Sequence, residues 1–385
     1  MRGNFKSNGN GNGNGNGDGV AMGALYTSPL TPHASPVGLS RRHFLAALGV
    51  LALPLPALAG LPRRTLLAAA ADDGGPFFEA VNGGAPLRLP TRGHGMLPIP
   101  GSDELILVAR RAGFWLARID WRRGVEVQRI APAPGRHFYG HAILSPDGAT
   151  LYTTENDIER GAGVVGVYDA ATLTRRGEFS SHGIGPHELY WLVPGRTLAV
   201  ANGGILTLPQ SGRDKLNLAS MAPSVAIFDL PSGTLLSSHA LSDNTLSLRH
   251  LARTADGTLG IAIQAESPDG RDVMDTPLLA VLRDGRLTLA EHLPGWGGYA
   301  ASVAAVGDVF VATALQGDVI LLWRSDGSFL GEVGLQRPAG IAVDGERVYV
   351  SNEMGLIAEL DVARRRPTPL ATRAGVKWDN HLVVV

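Results

Sequence analysis

The sequence predicts an all-β fold, a seven-bladed β-propeller spanning residues 61–385. Three observations predict it. A four-strand unit recurs along the chain. Its copies are spaced by ~40–50 residues, the period of propeller blades. Two incomplete units, one at each end of this region, add up to one blade.

The unit is a strand ending in a turn, a second strand ending in a polar residue, a third ending in Asp, then a turn and a fourth strand. One copy starts at His141 and reads AILSPDGATLYTTEND, then GVVGVYDAATLTRRGEF. A second starts at Gly340 and reads IAVDGERVYVSNEMGLIAELDVA. A third starts at His187, with ELYWLVPGRTLAVANGG followed by SVAIFDLPSGTLLSSH. Alternating, β-branched runs mark strands, and Asp-Gly marks hairpin turns. Asp169, Asp229, Asp326 and Asp361 recur at third-strand ends, where a short carboxylate caps the turn by accepting from nearby backbone amides.

Units begin at 94, 141, 187, 250, about 302, about 340 and 381. The long step after 187 holds an insertion, roughly 203–223, read as a loop that could act as a lid. His381 opens only one strand before the C-terminus, and residues 64–92 hold three strands without a first. Joining these N- and C-terminal strands in blade 7 closes the ring and removes exposed sheet edges.

Residues 1–60 read as an address. NGNGNGNGNGDG at 8–19 has nothing to bury and is expected to be disordered. Arg41-Arg42 precede Phe44-Leu45 and an apolar stretch to Ala59 that is broken by Pro54 and Pro56. The stretch is too short for a spanning helix and fits a signal h-region. The arginine pair fits twin-arginine export to the periplasm, and Ala57-Leu58-Ala59 fits cleavage. No membrane span is expected after signal removal.

Composition narrows the function. With 34 basic and 35 acidic residues, and only three lysines, the chain lacks the basic footprint that nucleic-acid binding needs. The absence of cysteine excludes disulfides, thiolate metal sites, covalent haem and a Cys nucleophile. Gly161-Ala162-Gly163 lies between strands and opens no helix, so it is no nucleotide motif. No nucleophile-elbow serine occurs, and His187-Glu188 is not part of an HExxH helix.

YVSNE at 349–353, LYTTEN at 151–156 and LAVANGG at 198–204 resemble the repeats of YVTN-type propellers. RGHG (92–95), GRHFYGH (135–141), TTEND (153–157), SHGIGPHE (181–188), ANGG (201–204), KLNL (215–218), LRH (248–250) and WDNH (378–381) resemble, in order, one narrower family. That family is an uncharacterised twin-arginine-exported propeller family, a domain of unknown function. It is often encoded beside imelysin-type and di-haem peroxidase-like proteins linked to iron uptake. The resemblance implies periplasmic metal handling, with iron-uptake proteins as partners. It supplies no catalytic residues.

Histidine placement points the same way. His94, His141, His187, His250 and His381 each begin the first strand of a unit. In a propeller that strand lines the central channel, so five imidazoles are aimed at one axis. His137 and His182 precede two of them and are expected to form a second tier. Glu155, Asn202, Asn352 and Glu353 end second strands on the same face. Arg136 and Arg249 adjoin these histidines, and all six are expected to support the site. Neutral imidazole ligates zinc, copper, iron and nickel, and carboxylates orient it. The predicted occupant is a transition metal, iron or copper ahead of zinc, with affinity falling below the free-histidine pKa of ~6.5.

The same residues admit other functions. A polar channel mouth also binds anions, and such histidines can serve structure alone. Glu155 or Glu353 could act as the base of a metal-dependent hydrolase or oxidoreductase, or the blades could be a non-catalytic scaffold. Trp296, Tyr299 and Trp378 are read as packing residues. The chain is expected to be a monomer.

Overall fold

Twenty-eight strands, almost all paired with their neighbours in antiparallel order, follow one another through the described part of the chain. The computed structural model describes residues 64–385, except 82, 84, 85, 213 and 271. The predicted twin-arginine signal lies outside the described residues. Among the described residues no helix is long and apolar enough to cross a membrane.

The first three strands are β1 (Leu66–Asp72), β2 (Gly75–Ala80) and β3 (Leu87–Arg88). Five four-stranded blades form separate sheets. The first holds β4 (Gly93–Pro98), β5 (Glu104–Ala109), β6 (Leu116–Asp120) and β7 (Val125–Ile130). The second holds β8 (Arg136–Leu144), β9 (Thr150–Asp157), β10 (Ala162–Asp169) and β11 (Arg175–Ser180). The third holds β12 (Pro186–Val193), β13 (Thr197–Asn202), β14 (Ser224–Asp229) and β15 (Thr234–His239). The fourth holds β16 (Leu246–Arg253), β17 (Leu259–Ala265), β18 (Leu279–Arg283) and β19 (Arg286–Leu289). The fifth holds β20 (Ala300–Val306), β21 (Val309–Ala314), β22 (Val319–Arg324) and β23 (Phe329–Gly334).

The last strands are β24 (Pro338–Asp344), β25 (Arg347–Asn352), β26 (Leu356–Asp361), β27 (Arg366–Thr372) and β28 (Lys377–Val384). Here the expectation of a seven-bladed propeller is corrected. β24–β28 and β1–β3 do not make two separate blades. They form one eight-stranded sheet, ordered β27-β26-β25-β24-β28-β1-β2-β3, and five blades stand alone. The join is a parallel bridge between Ile341 and His381. Gly340 permits it, because a Cβ there would sit 2.9 Å from the His381 carbonyl carbon. The terminal strands do pair: β1 runs antiparallel to β28, with Leu66 opposite Val384 and Leu67 opposite Val383.

Apolar residues that alternate along the strands fill the gaps between neighbouring sheets. Leu67 and Phe78 meet Leu105, Ala117 and Ile119. Ile106 and Leu116 meet Phe138, Leu151 and Tyr168. Phe310 and Trp323 meet Ala262 and Val281. The eight-stranded sheet folds on itself, so that Phe77 and Leu66 pack against Tyr349, Ile357 and Trp378. Each large side chain buried this way contributes about 1.5–3 kcal/mol. Outer strands such as β7 are largely exposed and alternate less strictly.

The strands nearest the axis are β4, β8, β12, β16, β20, β24 and β28, and each packs on the next. Their backbones approach closely where glycine allows it. A Cβ on Gly95 would lie 2.4 Å from the Gly140 carbonyl oxygen and 3.2 Å from the His141 Cα. Gly95→Ala should therefore destabilise the protein by about 1–3 kcal/mol through overpacking. Gly177→Ala, where a Cβ meets nothing within 4 Å, should be near neutral. Urea unfolding midpoints of the two variants check this, and equal midpoints would contradict the close packing of β4 on β8.

Candidate metal centre

Each of the five inner strands that bring a histidine to the centre breaks its pairing register at that histidine. The shift falls between Gly93 and Met96 around His94, and between Phe138 and Ala142 around His141. It falls between Pro186 and Glu188 at His187, and between Leu248 and Leu251 around His250. On β28, Trp378 and Leu382 hold partners in β1 while His381 between them pairs only with Ile341. A bulge frees a residue from the ladder and re-aims its side chain. The bulged residues of β20 and β24 are small: Ala301 lies between paired Ala300 and Ser302, and Ala339 and Gly340 lie between Pro338 and Ile341. Five imidazoles therefore converge on the axis from strands that are far apart in sequence.

The convergence is tight. Nine ring pairs among the five histidines have centroids 4.5–6.1 Å apart. His94, His141, His187 and His250 are buried, and one ring nitrogen of each lies within 4.8 Å of the others. His187 Nε2 is 3.2 Å from His250 Nε2. Two nitrogens bound to one ion at ~2.0–2.1 Å, ~100–110° apart, would sit roughly 3.1–3.4 Å apart. His381 stands as a fifth ring, its centroid 4.5 Å from that of His94 and 4.7 Å from that of His141. The Nε2 atoms of His141 and His381 are buried without a hydrogen-bond partner, as is Nδ1 of His187. Buried polar atoms are normally paired, so the orphaned Nε2 atoms of His141 and His381 fit an ion; His187 and His250 face each other through Nε2, and it is their other ring nitrogen, Nδ1, that is orphaned.

Two carboxylates stand behind the rings. Asp379 is fully buried and accepts from His94 Nδ1 at 2.8 Å. Its other oxygen lies 2.7 Å from Arg92 and 3.6 Å from Arg110. Burial would raise the Asp379 carboxyl, but Arg110, His94 and Arg92 outweigh it and hold it well below the usual range. An ionised carboxylate only accepts, so His94 carries its proton on Nδ1 and leaves Nε2 as a lone pair. Glu188 lies 3.6 Å from His141 Nδ1 and 3.4 Å from His250 Nδ1. Burial pushes Glu188 up to about 7. A carboxylate behind a ligating imidazole is the usual orienting arrangement of a metal site.

Burial also keeps the rings neutral. It lowers His94 to about 4 against the pull of Asp379, and His250 to about 3 with help from Arg249. His141, His187 and His381 are driven well below the ordinary value, again by burial first. Proton competition for the ligands is thereby moved to the acid side of the ~6.5 expected for free histidine.

The other residues expected at the site are placed elsewhere. His137 is buried outside the cluster; its ring stacks on Tyr139, and its Nδ1 lies 3.3 Å from the Phe138 carbonyl oxygen. His182 is exposed on a left-handed turn beside Phe228. They form no second tier, because stacking on Tyr139 and the turn carry them off the axis. Glu155 is buried inside its blade, where it accepts from Thr153, Tyr168 and Arg175. Arg136 pairs with Glu178 and Asp157. Asn202 donates to the Ser181 carbonyl and to Ser224. Asn352 caps the turn at Met354 and Leu356, and Glu353 pairs with Arg337. Arg249 does reach the site: it lines the cavity described next. Trp296 and Trp378 are core residues as expected, whereas Tyr299 lines that cavity.

Asp379, Glu188, Arg92, Arg110 and Arg111 were not singled out from sequence. WDNH held the signal for Asp379, since an acid two residues before a ligand on a bulged strand can turn back towards the axis. A cavity of about 490 Å³ opens beside the cluster, lined by His94, His187, Arg110, Arg111, Arg249 and Tyr299 among others. Lys215 and Leu218 of the insertion also line it, and Asn217 ties the insertion to itself, accepting from the Leu206 amide and donating to the Gly204 carbonyl.

The fold and site together define a β-propeller whose buried histidine cluster could hold a metal ion. The chain belongs to the family described as Protein of unknown function (DUF1513), which matches residues 87–385. No curated protein matches it. Among solved structures it is similar to Kuenenia stuttgartiensis hydrazine synthase, at 15% identity and a TM-score of 0.56 over 78% of this chain and 90% of that one. It is also similar to U3-55K, at 13% identity and a TM-score of 0.55 over 77% and 86%. The WD40 repeats of RRP9 match at 13% identity and a TM-score of 0.56 over 77% and 85%. At such identities these likenesses show the propeller fold alone.

Neutral buried rings give metal-free protein a defined pH response. Between pH ~6.5 and about 4, the unfolded chain protonates His94 while the folded chain does not. Stability is therefore present above ~6.5 and falls as the pH drops, by on the order of 3 kcal/mol for His94 alone. Glu188 acts oppositely, since its raised pKa costs stability as the pH rises from ~4.5 to about 7. It is one group against five rings, so the histidine direction prevails below 6.5. Urea unfolding of metal-free protein from pH 7 to 4 should show the decline, and a flat profile would contradict neutral burial.

Proposed function

We propose that this propeller binds one first-row transition metal ion, iron or copper ahead of zinc, at the cluster of His94, His141, His187 and His250, with His381 as a fifth ligand. The observation that carries the reading is the convergence of buried, neutral imidazoles, with the Nε2 atoms of His141 and His381 left without partners. All-imidazole donors suit iron, copper, nickel and zinc, and no thiolate biases the set towards softer ions. Asp379 and Glu188 orient the rings and supply negative charge to offset the cation. Arg41-Arg42 and the apolar stretch after them support export through the twin-arginine route, and hence a periplasmic place for metal handling. The resemblance to propellers encoded beside iron-uptake proteins supports such proteins as partners.

The cavity beside the rings favours a second reading, in which the ion activates a bound molecule as a Lewis acid or redox centre. Glu155, bound to Thr153, Tyr168 and Arg175, is not available as its base.

Elemental analysis of protein purified from its native compartment tests the metal. Expected is about one equivalent of iron or copper per chain, retained at pH 5.5 because burial moves His94 to about 4, His250 to about 3 and the other rings well below the free value. The double variant His141→Ala/His187→Ala should lose it by at least tenfold while the blades still fold. Metal-free protein that also fails to take up added copper, iron or zinc would end this reading.

A further inference from the structure

We propose that the cavity beside the histidine cluster is an oxyanion site, in which Arg111 and Arg249 bind a small carboxylate or phosphate next to the metal. The proposal starts from an imbalance of charge among the lining groups. Arg110, Arg111, Arg249 and Lys215 face the cavity, and Glu266 is the single carboxylate among them. Lys215 pairs with Glu266, which also accepts from Gln264. Arg110 leans on Asp379. Arg111 and Arg249 remain, and among the described residues no carboxylate forms an ion pair with either.

Arg249 is only 6% exposed, and its Nε has no hydrogen-bond partner. A buried guanidinium without a counter-charge is costly, and this one is held in place by its strand: it precedes His250 within the bulge of β16. A guanidinium presents a planar fork of donors that matches carboxylate and phosphate oxygens. The volume of about 490 Å³ lies within the range of small-molecule sites. His94 and His187 line the same cavity, so an anion seated on the arginines lies beside the cluster.

The position also explains how a dication would be tolerated near two guanidiniums. An oxyanion between them screens the repulsion and can offer an oxygen to the ion. This coupling rests on the metal reading of the preceding section, whereas binding to the arginines does not. If both hold, each ligand must raise the affinity for the other by the same factor.

Isothermal titration of metal-free protein with oxalate, inorganic phosphate and, as a control, chloride tests the site. Saturable binding of oxalate or phosphate is expected, weakened at least tenfold in Arg249→Gln and in Arg111→Gln. The preferred anion of the pair separates a carboxylate from a phosphate ligand. Should Arg249→Gln fail to fold, Arg249→Lys keeps the charge, loses the fork and should still bind more weakly. No saturable binding of either oxyanion, or affinities unchanged in the variants, would overturn the proposal. Metal uptake is measured separately on the same protein. Oxyanion binding without metal uptake contradicts the metal reading and leaves the oxyanion site standing; metal uptake without oxyanion binding does the reverse.

Discussion

The site depends on the burial of uncharged imidazoles at the centre of the ring. Five rings within a few ångströms of one another could not all be protonated, since like charges at that distance in a poorly solvated interior repel strongly. Desolvation settles the matter by holding the rings neutral, and the inner-strand bulges hold them in place. What results is a set of neutral rings, four of which bring a nitrogen within 4.8 Å of the others. Asp379 supports this by fixing the tautomer of His94, and two arginines keep Asp379 ionised.

That arrangement has a cost that the surrounding fold must cover. Unpartnered buried nitrogens and an unpaired buried guanidinium each lower stability relative to a satisfied core. The apolar clusters between the sheets supply the compensating burial, with Trp323, Trp378 and a set of phenylalanines at the centre of it. Unsatisfied polar atoms recur at the site, on His141, His187, His250, His381 and Arg249, as is expected where a fold gives up local stability to hold a ligand.

The propeller and the ring of histidines were legible in the sequence because both are periodic. Strand alternation, Asp-Gly turns and a histidine at one phase of the repeat are local signals. The division into blades was only partly legible. Seven separate blades were expected, but backbone contact at Gly340 links β24 to β28 in one sheet, and a parallel bridge between units leaves no mark in alternation. The bulges were equally hidden, although they explain why the histidines leave the ladder. Phase alone misled at Glu155, Asn202, Asn352 and Glu353. Asn202 and Asn352 end second strands, Glu155 stands two residues before such an end and Glu353 one after, yet each is held by partners of its own blade or of an adjoining turn. Asp379 and Glu188 went unnoticed because their importance comes from contact with rings on other strands.

Extended X-ray absorption of the protein loaded with copper or iron tests the central claim most directly. Four or five nitrogen neighbours at about 2.0–2.1 Å, with the outer-shell scattering of imidazole, are the expected result. A shell made of oxygen, or one or two imidazoles only, would contradict convergence of the five rings on a single ion.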